Sequence, residues 1–436
     1  MRRLIIGITL LCTSGTLMAQ QAWTLEQCVT YAIENNLTVK QREVMQKQRE
    51  VALSTARNSR LPDLNASASE SLNFGRGLTA DNTYVSRNTQ STNLSLGTSI
   101  PLFTGFRIPN QIALSRFNLQ TAAEELAKAK EDISVQVASA YLQVLLSKDM
   151  WQVAVEQTRL SKEQQLRLER FLEEGKIAET EVSEARSRTA QDKLSEVQAE
   201  NAYRLAVLDL TQLLEIMTPE GFEVAEPAES EPQAPTDLPE TIYQKALAVK
   251  PGVKAEELRL QGLERTIRIA RAGYYPQLNL SAGIGSNYYK TAGYRAESFG
   301  RQLDNNLNKS IGLSLSIPIF NRFSTRNAIR DAKLQYESQS LQLDVTRKAL
   351  YKEIQQAYYN AVASEAKYRS SCTAEQAAMD AFTLMEKKYE QGKATATEYN
   401  EAKTRRFKAV SERLQARYDG LLRAKILAFY KGEPIR

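Results

Sequence analysis

Leu94-Ser-Leu-Gly-Thr-Ser-Ile-Pro-Leu-Phe-Thr-Gly-Phe106 returns 217 positions later as Ile311-Gly-Leu-Ser-Leu-Ser-Ile-Pro-Ile-Phe-Asn-Arg-Phe323. Upstream of it, Thr55-Ala-Arg-Asn-Ser-Arg-Leu-Pro-Asp-Leu-Asn-Ala-Ser-Ala68 returns after 214 positions as Ile269-Ala-Arg-Ala-Gly-Tyr-Tyr-Pro-Gln-Leu-Asn-Leu-Ser-Ala282. Downstream, the 217 offset carries Ala140-Tyr141 onto Ala357-Tyr358 and Gly175-Lys176 onto Gly392-Lys393. Each copy must be a structural unit that packs on its twin, and the unit is about half the chain, so this is a duplication and not a short-repeat solenoid.

Both copies of the quoted stretch alternate. Leu94, Leu96 and Ile100 oppose Asn93, Ser95, Gly97 and Ser99, while Ile311, Leu313, Leu315 and Ile317 oppose Gly312, Ser314 and Ser316. The preceding segments do the same: Leu64, Ala66, Ala68, Leu72 and Phe74 against Asn65, Ser67, Ser69, Ser71 and Asn73, then Leu278, Leu280, Ala282 and Ile284 against Asn279, Ser281, Gly283 and Gly285. A period of two over about ten residues, with a small polar second face, is the pattern of transmembrane barrel strands. An ordinary sandwich edge alternates too, and Glu70 on the apolar side favours that reading. Tyr274, Tyr275, Tyr288 and Tyr289 flank the third segment as an interfacial aromatic girdle would. The polar stretches Gly75 to Thr89 and Asn287 to Asn308 join the strands of each pair. Four strands cannot close a barrel, and lipid tolerates no open edge, so several chains must contribute: two would give eight strands and three would give twelve.

The rest is helical in character. Asn110 to Glu174 holds no Gly or Pro and is rich in Ala, Leu, Glu, Gln, Lys and Arg. Started at Pro109, that helix would run roughly 100 Å. Its counterpart in the second copy is Arg322 to Gln391, where Leu350, Ile354, Ala357, Ala361, Ser364 and Tyr368 follow the alternating four-and-three spacing of a coiled-coil seam. Shorter helices are expected at Thr24 to Asn58, at 178–216, at Leu238 to Ala272 with a break near Pro251-Gly252, and at 394–431. The fold class is therefore α+β, mostly α. A leader occupies 1–19. Repeat 1 covers 20–217, with strands about 64–74 and 91–100, a long helix 109–174 and a helix 178–216. A Pro/Glu-rich linker follows at 218–239, extended against the rods. Repeat 2 covers 240–436, with strands about 278–288 and 310–317, a long helix 322–391 and a helix 394–431.

Composition narrows the function. Arg2 and Arg3 precede an apolar run from Leu4 to Leu11, then small and polar residues to Ala19, which reads as a secretory signal. The formal net charge is +6, and +4 without Arg2 and Arg3, with the signs interleaved, so no nucleic-acid footprint is present. Beyond the leader only Cys28 and Cys372 remain, in opposite repeats and without metal-ligand spacing, as buried structural residues would be. The chain has no histidine, the commonest general base and metal ligand, and no Gly-rich phosphate loop, so no cofactor and no enzyme chemistry are expected. No stretch after the leader is long and apolar enough for a membrane-spanning helix.

The duplicated order of helix, strand, strand, long helix and short helix, the Ile-Pro-(Leu/Ile)-Phe exits at Pro101 and Pro318, and the turns at Gly175 and Gly392 resemble the TolC-like outer-membrane efflux channel family over essentially the whole mature chain. The resemblance implies a homotrimer in the outer membrane, with a twelve-stranded β-barrel continuing into a periplasmic α-helical barrel. It implies a passive exit duct of a tripartite efflux or type I secretion system, opened by a periplasmic adaptor protein and an inner-membrane pump of the RND, ABC or MFS type. It also assigns residues. Gly175, Lys176, Gly392 and Lys393 become adaptor-docking tips, although glycine and lysine there also serve simple helix capping. Glu398 and Glu401 match an acidic pair at the channel constriction, six carboxylates in a trimer, which would favour cations, bind blocking divalent cations and raise some carboxylate pKa values. Thr395-Ala-Thr-Glu398 is equally a capping box, which accounts for Glu398 but not Glu401. Tyr389 matches a tyrosine of the entrance lock whose partner would be Glu181, and Ala394 replaces the arginine beside it; a tyrosine packed in the seam is the alternative. The competing function is a periplasmic coiled-coil structural or adaptor protein bridging the envelope, for which the compact β-domain is missing.

Overall fold

A computed structural model describes residues 22–78, 82–226 and 231–435; the leader expected at 1–19, part of the first strand loop and part of the linker lie outside the described residues. The first half runs α1 (Leu25–Asn35), α2 (Leu37–Asn58), β1 (Asn65–Asn73), β2 (Arg76–Leu78), β3 (Tyr84–Ser86), β4 (Thr89–Thr104), α3 (Arg107–Glu173) and α4 (Glu179–Leu213). The second runs α5 (Pro239–Val249), α6 (Pro251–Arg271), β5 (Gln277–Thr291), α7 (Phe299–Asn305), β6 (Asn308–Ser316), α8 (Ser324–Glu390) and α9 (Ala396–Tyr430). The duplication governs helix length: α3 and α8 have 67 residues each, α4 and α9 have 35 each, and α1 and α5 have 11 each.

Several boundaries differ from the sequence reading. Thr24 to Asn58 is two helices, because Asn36 leaves the helical region at ψ 130°. Its side chain donates to the Leu213 carbonyl at 3.0 Å and accepts from the Thr38 amide at 2.9 Å, restarting the helix. The same break in the second copy falls at Lys250, where Pro251 excludes the α conformation from the residue before it. The helix expected to reach 216 stops at Leu213, because Glu215 turns left-handed at φ 59°. The second long helix starts late because Arg322 and Phe323 sit at φ 55° and 60°. The loops also carry structure: β2 pairs with β3 inside the first, and α7 lies inside the second.

The main sheet is antiparallel in the order β1-β4-β5-β6. The twin of β1 is β5 and the twin of β4 is β6, yet β4 and β5 have 16 and 15 residues while β1 and β6 have 9 each. Length follows position in the sheet. β4 runs on through Pro101 by a register shift between Pro101 and Phe103, which removes the need for a ladder amide at the proline. At the edge, Ile317-Pro318 has no second neighbour and the strand stops at Ser316. The register stacks like on like: Leu280 faces Ile100 and Leu313, Ile284 faces Leu96, and Leu278 faces Leu315, while Ser281 lies beside Ser99 and Gly312. One face is therefore mainly apolar, with Lys309 beside Ile284 and Glu70 beside Thr92 toward the loop end, and the other is small and polar. Glu70 lies on the mainly apolar face between Ala68 and Leu72, where its carboxylate accepts hydrogen bonds from Gln90 and Thr92.

By contacts the chain forms two compact units, one of Arg42–Ala127 with Pro251–Lys348, holding the sheet, and one of Met1–Gln41, Lys128–Lys250 and Ala349–Arg436, holding the helix turns. In the helical unit the seam residues Leu350, Ile354, Ala357, Ala361 and Ser364 are buried. Full burial of a side chain such as Ile354 contributes about 1.5–3 kcal/mol. The linker is joined to this core at its start: Trp23 bridges Val224, and the Tyr141 hydroxyl donates to the carbonyls of Trp23 and Ala225. Cys28 is buried, its thiol pushed up to about 12 by desolvation, whereas Cys372 is only half-buried; both are free thiols. No described helix is long and apolar enough to cross a membrane.

Candidate functional site

The two helix turns of the helical unit are built alike. α3 ends with Gly175 at φ 68°, its amide donating to the Leu172 carbonyl at 2.9 Å while Lys176 donates to the Phe171 carbonyl at 2.8 Å. α8 ends with Gly392 at φ 70°, with Gly392 bonded to Tyr389 at 3.0 Å and Lys393 to Lys388 at 2.8 Å. Both are Schellman ends, which need a residue that accepts the left-handed region. Nothing stands within 4 Å of where either glycine would carry a Cβ, so the two tips are open surface. Their lysines are held locally: Lys176 pairs with Glu174 at 2.6 Å, and Lys393 donates to Gln391 at 3.0 Å.

Glu398 is engaged by its own helix. Thr395 donates to the Glu398 carboxylate from its amide at 2.8 Å and from its hydroxyl at 2.9 Å, and the Glu398 amide donates back to the hydroxyl at 3.3 Å. These bonds, that from the Thr395 amide foremost, hold the Glu398 carboxyl below the usual range, opposite in direction to the crowding expected of an acidic ring. Glu401, one turn on, is exposed and makes no such bond. It borders a cleft with Arg188, Thr397, Asn400, Thr404 and Arg405, so two guanidiniums share its surroundings.

Tyr389 and Glu181 are not joined within the chain. The Tyr389 ring stacks on Tyr399 with centroids 4.8 Å apart at 24°, against a cluster of Phe382, Tyr399, Ala402 and Met385. Burial foremost pushes the Tyr399 hydroxyl up to about 12. This is the packed-seam alternative for Tyr389. Glu181 is exposed in the first turn of α4, on a cleft with Ser161, Arg188, Ala396 and Asn400.

A second polar group lies close by, buried between α3, α4 and α9. Lys403 of α9 is fully buried, at 0% exposure, and its ammonium donates to the Ser161 hydroxyl of α3 and to the Asp192 carboxylate of α4 at 3.3 Å. Ser161 also donates to Asp192, and Gln157 donates to the other carboxylate oxygen at 2.6 Å. Desolvation, partly offset by Asp192, keeps the amine below the ordinary lysine range. The signal was present in the spacing, since Lys403 falls between Tyr399 and Phe407 on the buried stripe of α9.

Two comparisons and a family model frame these observations. The family model described as "Outer membrane efflux protein" matches residues 29–215 and 242–432. Outer membrane protein TolC of Escherichia coli strain K12 is 24% identical over 436 residues, which cover 96% of this chain and 83% of that protein. Protein CyaE of Bordetella pertussis is 25% identical over 262 residues, 58% of this chain and 52% of its own length. Among solved structures CusC, whose structures are described as following transmembrane channel formation, superposes with a TM-score of 0.79 at 17% identity, covering 94% of this chain and 92% of that one.

Proposed function

The chain belongs to the outer membrane efflux protein family, and from that premise we propose that it is the exit duct of a tripartite efflux or secretion machine. In this reading three copies pool their sheets into a twelve-stranded barrel, the long helices form the remainder of the conduit, and the twin turns at Gly175-Lys176 and Gly392-Lys393 dock a periplasmic adaptor coupled to an inner-membrane pump. The observation that carries it is the sheet. β1 and β6 each have a sheet neighbour on one side only and are exposed along their whole length, while one face is mainly apolar away from the loop end, with Ile100, Leu280 and Leu313 side by side across β4, β5 and β6. An apolar sheet with two open edges is unstable both in water, as a template for pairing, and in lipid, as unpaired backbone. Closure through neighbouring copies satisfies both.

Glu401, with Glu398, is the proposed cation-selective constriction, and Tyr389 with Glu181 the proposed entrance lock, whose hydrogen bond would form as the entrance closes. Glu398→Gln tests the ring cleanly, because glutamine keeps the capping box while removing the charge. In planar bilayers the Glu398→Gln/Glu401→Gln protein is expected to lose cation preference several-fold and to lose block by divalent cations. Unchanged selectivity and unchanged block would remove both carboxylates from the constriction.

A further inference from the structure

We propose that the loop end of the lipid-facing sheet face binds a phosphate-bearing glycolipid of the outer leaflet, with Lys290, Arg301 and Lys309 as the cations that hold it. The inference rests on the barrel reading and goes beyond it by assigning a ligand. Residues paired across neighbouring strands share a face. The pairs Leu280 with Leu313 and Ile284 with Lys309 therefore put Lys309 on the mainly apolar face, at the start of β6. Alternation along β5 carries the same face from Ile284 through Ser286 and Tyr288 to Lys290, which lies opposite Gln90. Two lysines thus stand where the face that meets lipid runs out.

The space between them is built by α7. β6 pairs with β5 only as far as Asn308 with Gly285, while β5 continues to Thr291. Beyond that point α7 takes the place of a strand neighbour. The Ser286 hydroxyl donates to the Leu303 carbonyl at 2.6 Å, the Tyr289 amide to the Gln302 side-chain oxygen at 3.0 Å, and the Asn306 side chain to the Asn287 carbonyl at 2.7 Å. The Phe299 ring packs on Tyr288 with centroids 5.1 Å apart, yet stays 47% exposed. Lys309 lies opposite Ile284, six positions along β5 from Lys290, so the two lysines bracket about 20 Å of rim. Arg301 stands on the intervening helix.

The charge on this rim is unanswered. Lys290, Arg301 and Lys309 are exposed, and none forms an ion pair or a side-chain hydrogen bond among the described residues. From Lys290 to Lys309 the chain carries those three cations and Arg295 against Glu297 and Asp304, and Glu297 already accepts from Asn305 at 3.0 Å. Glu70, two strands away, is occupied by Gln90 and Thr92. A lysine facing lipid is costly at mid-bilayer and tolerated at the interface, where its long chain reaches the headgroups. Anionic headgroups neutralise it there, and aromatic rings such as Tyr288 and Phe299 belong at the same depth. Only outer-leaflet lipid reaches the loop end of the proposed barrel. Three cations spread over such a rim exceed what the single phosphate of an ordinary phospholipid can answer, whereas a sugar headgroup bearing more than one phosphate fits both the charge and the span.

The test is binding of fluorescent lipid A, either bisphosphorylated or fully dephosphorylated, and of phosphatidylglycerol to the purified full-chain protein in detergent, with assembly followed by heat-modifiable migration on gels. The assembled wild type is expected to bind bisphosphorylated lipid A at least tenfold more tightly than either other lipid. Lys290→Gln/Lys309→Gln is expected to weaken that binding at least fivefold. Lys47→Gln/Lys352→Gln, which removes the same charge from exposed helix positions, is expected to leave it unchanged. Equal binding of the two lipid A forms by the assembled wild type would overturn the site, an arm that needs no variant to fold. Phosphatidylglycerol bound as tightly as bisphosphorylated lipid A would overturn it too, as would a rim pair that changes binding no more than the helix pair. A protein that proves to be a water-soluble monomer would instead refute the barrel on which the site depends.

Discussion

Lysine at Leu280 and Leu313 together will remove the protein from the outer-membrane fraction, while lysine at Ser281 and Ser314 together will leave it there. The first pair are direct cross-strand neighbours in the middle of the apolar face of β5 and β6. On a lipid-facing position near the bilayer centre each lysine costs about 2–4 kcal/mol, so the pair would cost about 4–8 kcal/mol. That is comparable to the whole stability of an ordinary domain, about 5–15 kcal/mol. Ser281 and Ser314 point to the opposite, small and polar face, which in the proposed barrel meets water. Membrane fractionation with gel migration before and after heating reads the result. Equal loss from both pairs would mean that the two faces are not lipid and lumen.

Gly105→Ala will lower thermal stability by about 2–5 kcal/mol, whereas Arg322→Gly, at the position 217 residues later, will be neutral or stabilising. Both residues lie where a strand hands over to a long helix, and both are left-handed, at φ 62° and 55°. That conformation costs a side-chain-bearing residue about 1–2 kcal/mol, which Arg322 already bears. The difference is the neighbour. A Cβ on Gly105 would stand 2.6 Å from the Tyr275 Cβ and 2.7 Å from the Ala272 carbonyl, neither of which is a flexible chain end. Forcing that contact adds about 1–3 kcal/mol. Detergent-phase melting of the two variants measures the contrast, and similar melting for both would show that conformation and not crowding sets the glycine.

What could be read from the chain follows from the range of the forces involved. Helix existence and duplication were legible because period and composition act locally, and α3 with α8 emerge at equal length from segments that differ at most positions. The break at Lys250 was legible because Pro251 excludes helix there by covalent geometry. Its twin at Asn36 was not, because that break depends on a side chain bonding to Leu213, far along the chain. Strand existence was legible from alternation, but strand length was not: it depends on which strands lie centrally, a property of pairing. Family membership was carried by the order of elements, and the family model bears it out.

The candidate residues divide the same way. Gly175 and Gly392 sit in the left-handed turns that glycine marks locally. Glu398 carried two local readings, and within one chain the capping box is the one formed. Tyr389 stacks on Tyr399 because an aromatic partner lies one helix away in the same turn, a contact that residue spacing within a single helix cannot reveal. Lys403 escaped notice because a lysine on a helix is ordinarily solvated, and its burial depends on Ser161 and Asp192 from two other helices.

The central claim is that one chain supplies only a third of a closed barrel. Native mass measurement of the protein extracted in detergent tests it most directly: the account predicts a complex of three chains that migrates faster before heating than the same subunits after it. A monomer that stays soluble in water without detergent would contradict it, since the apolar face and both strand edges would then have nothing to cover them.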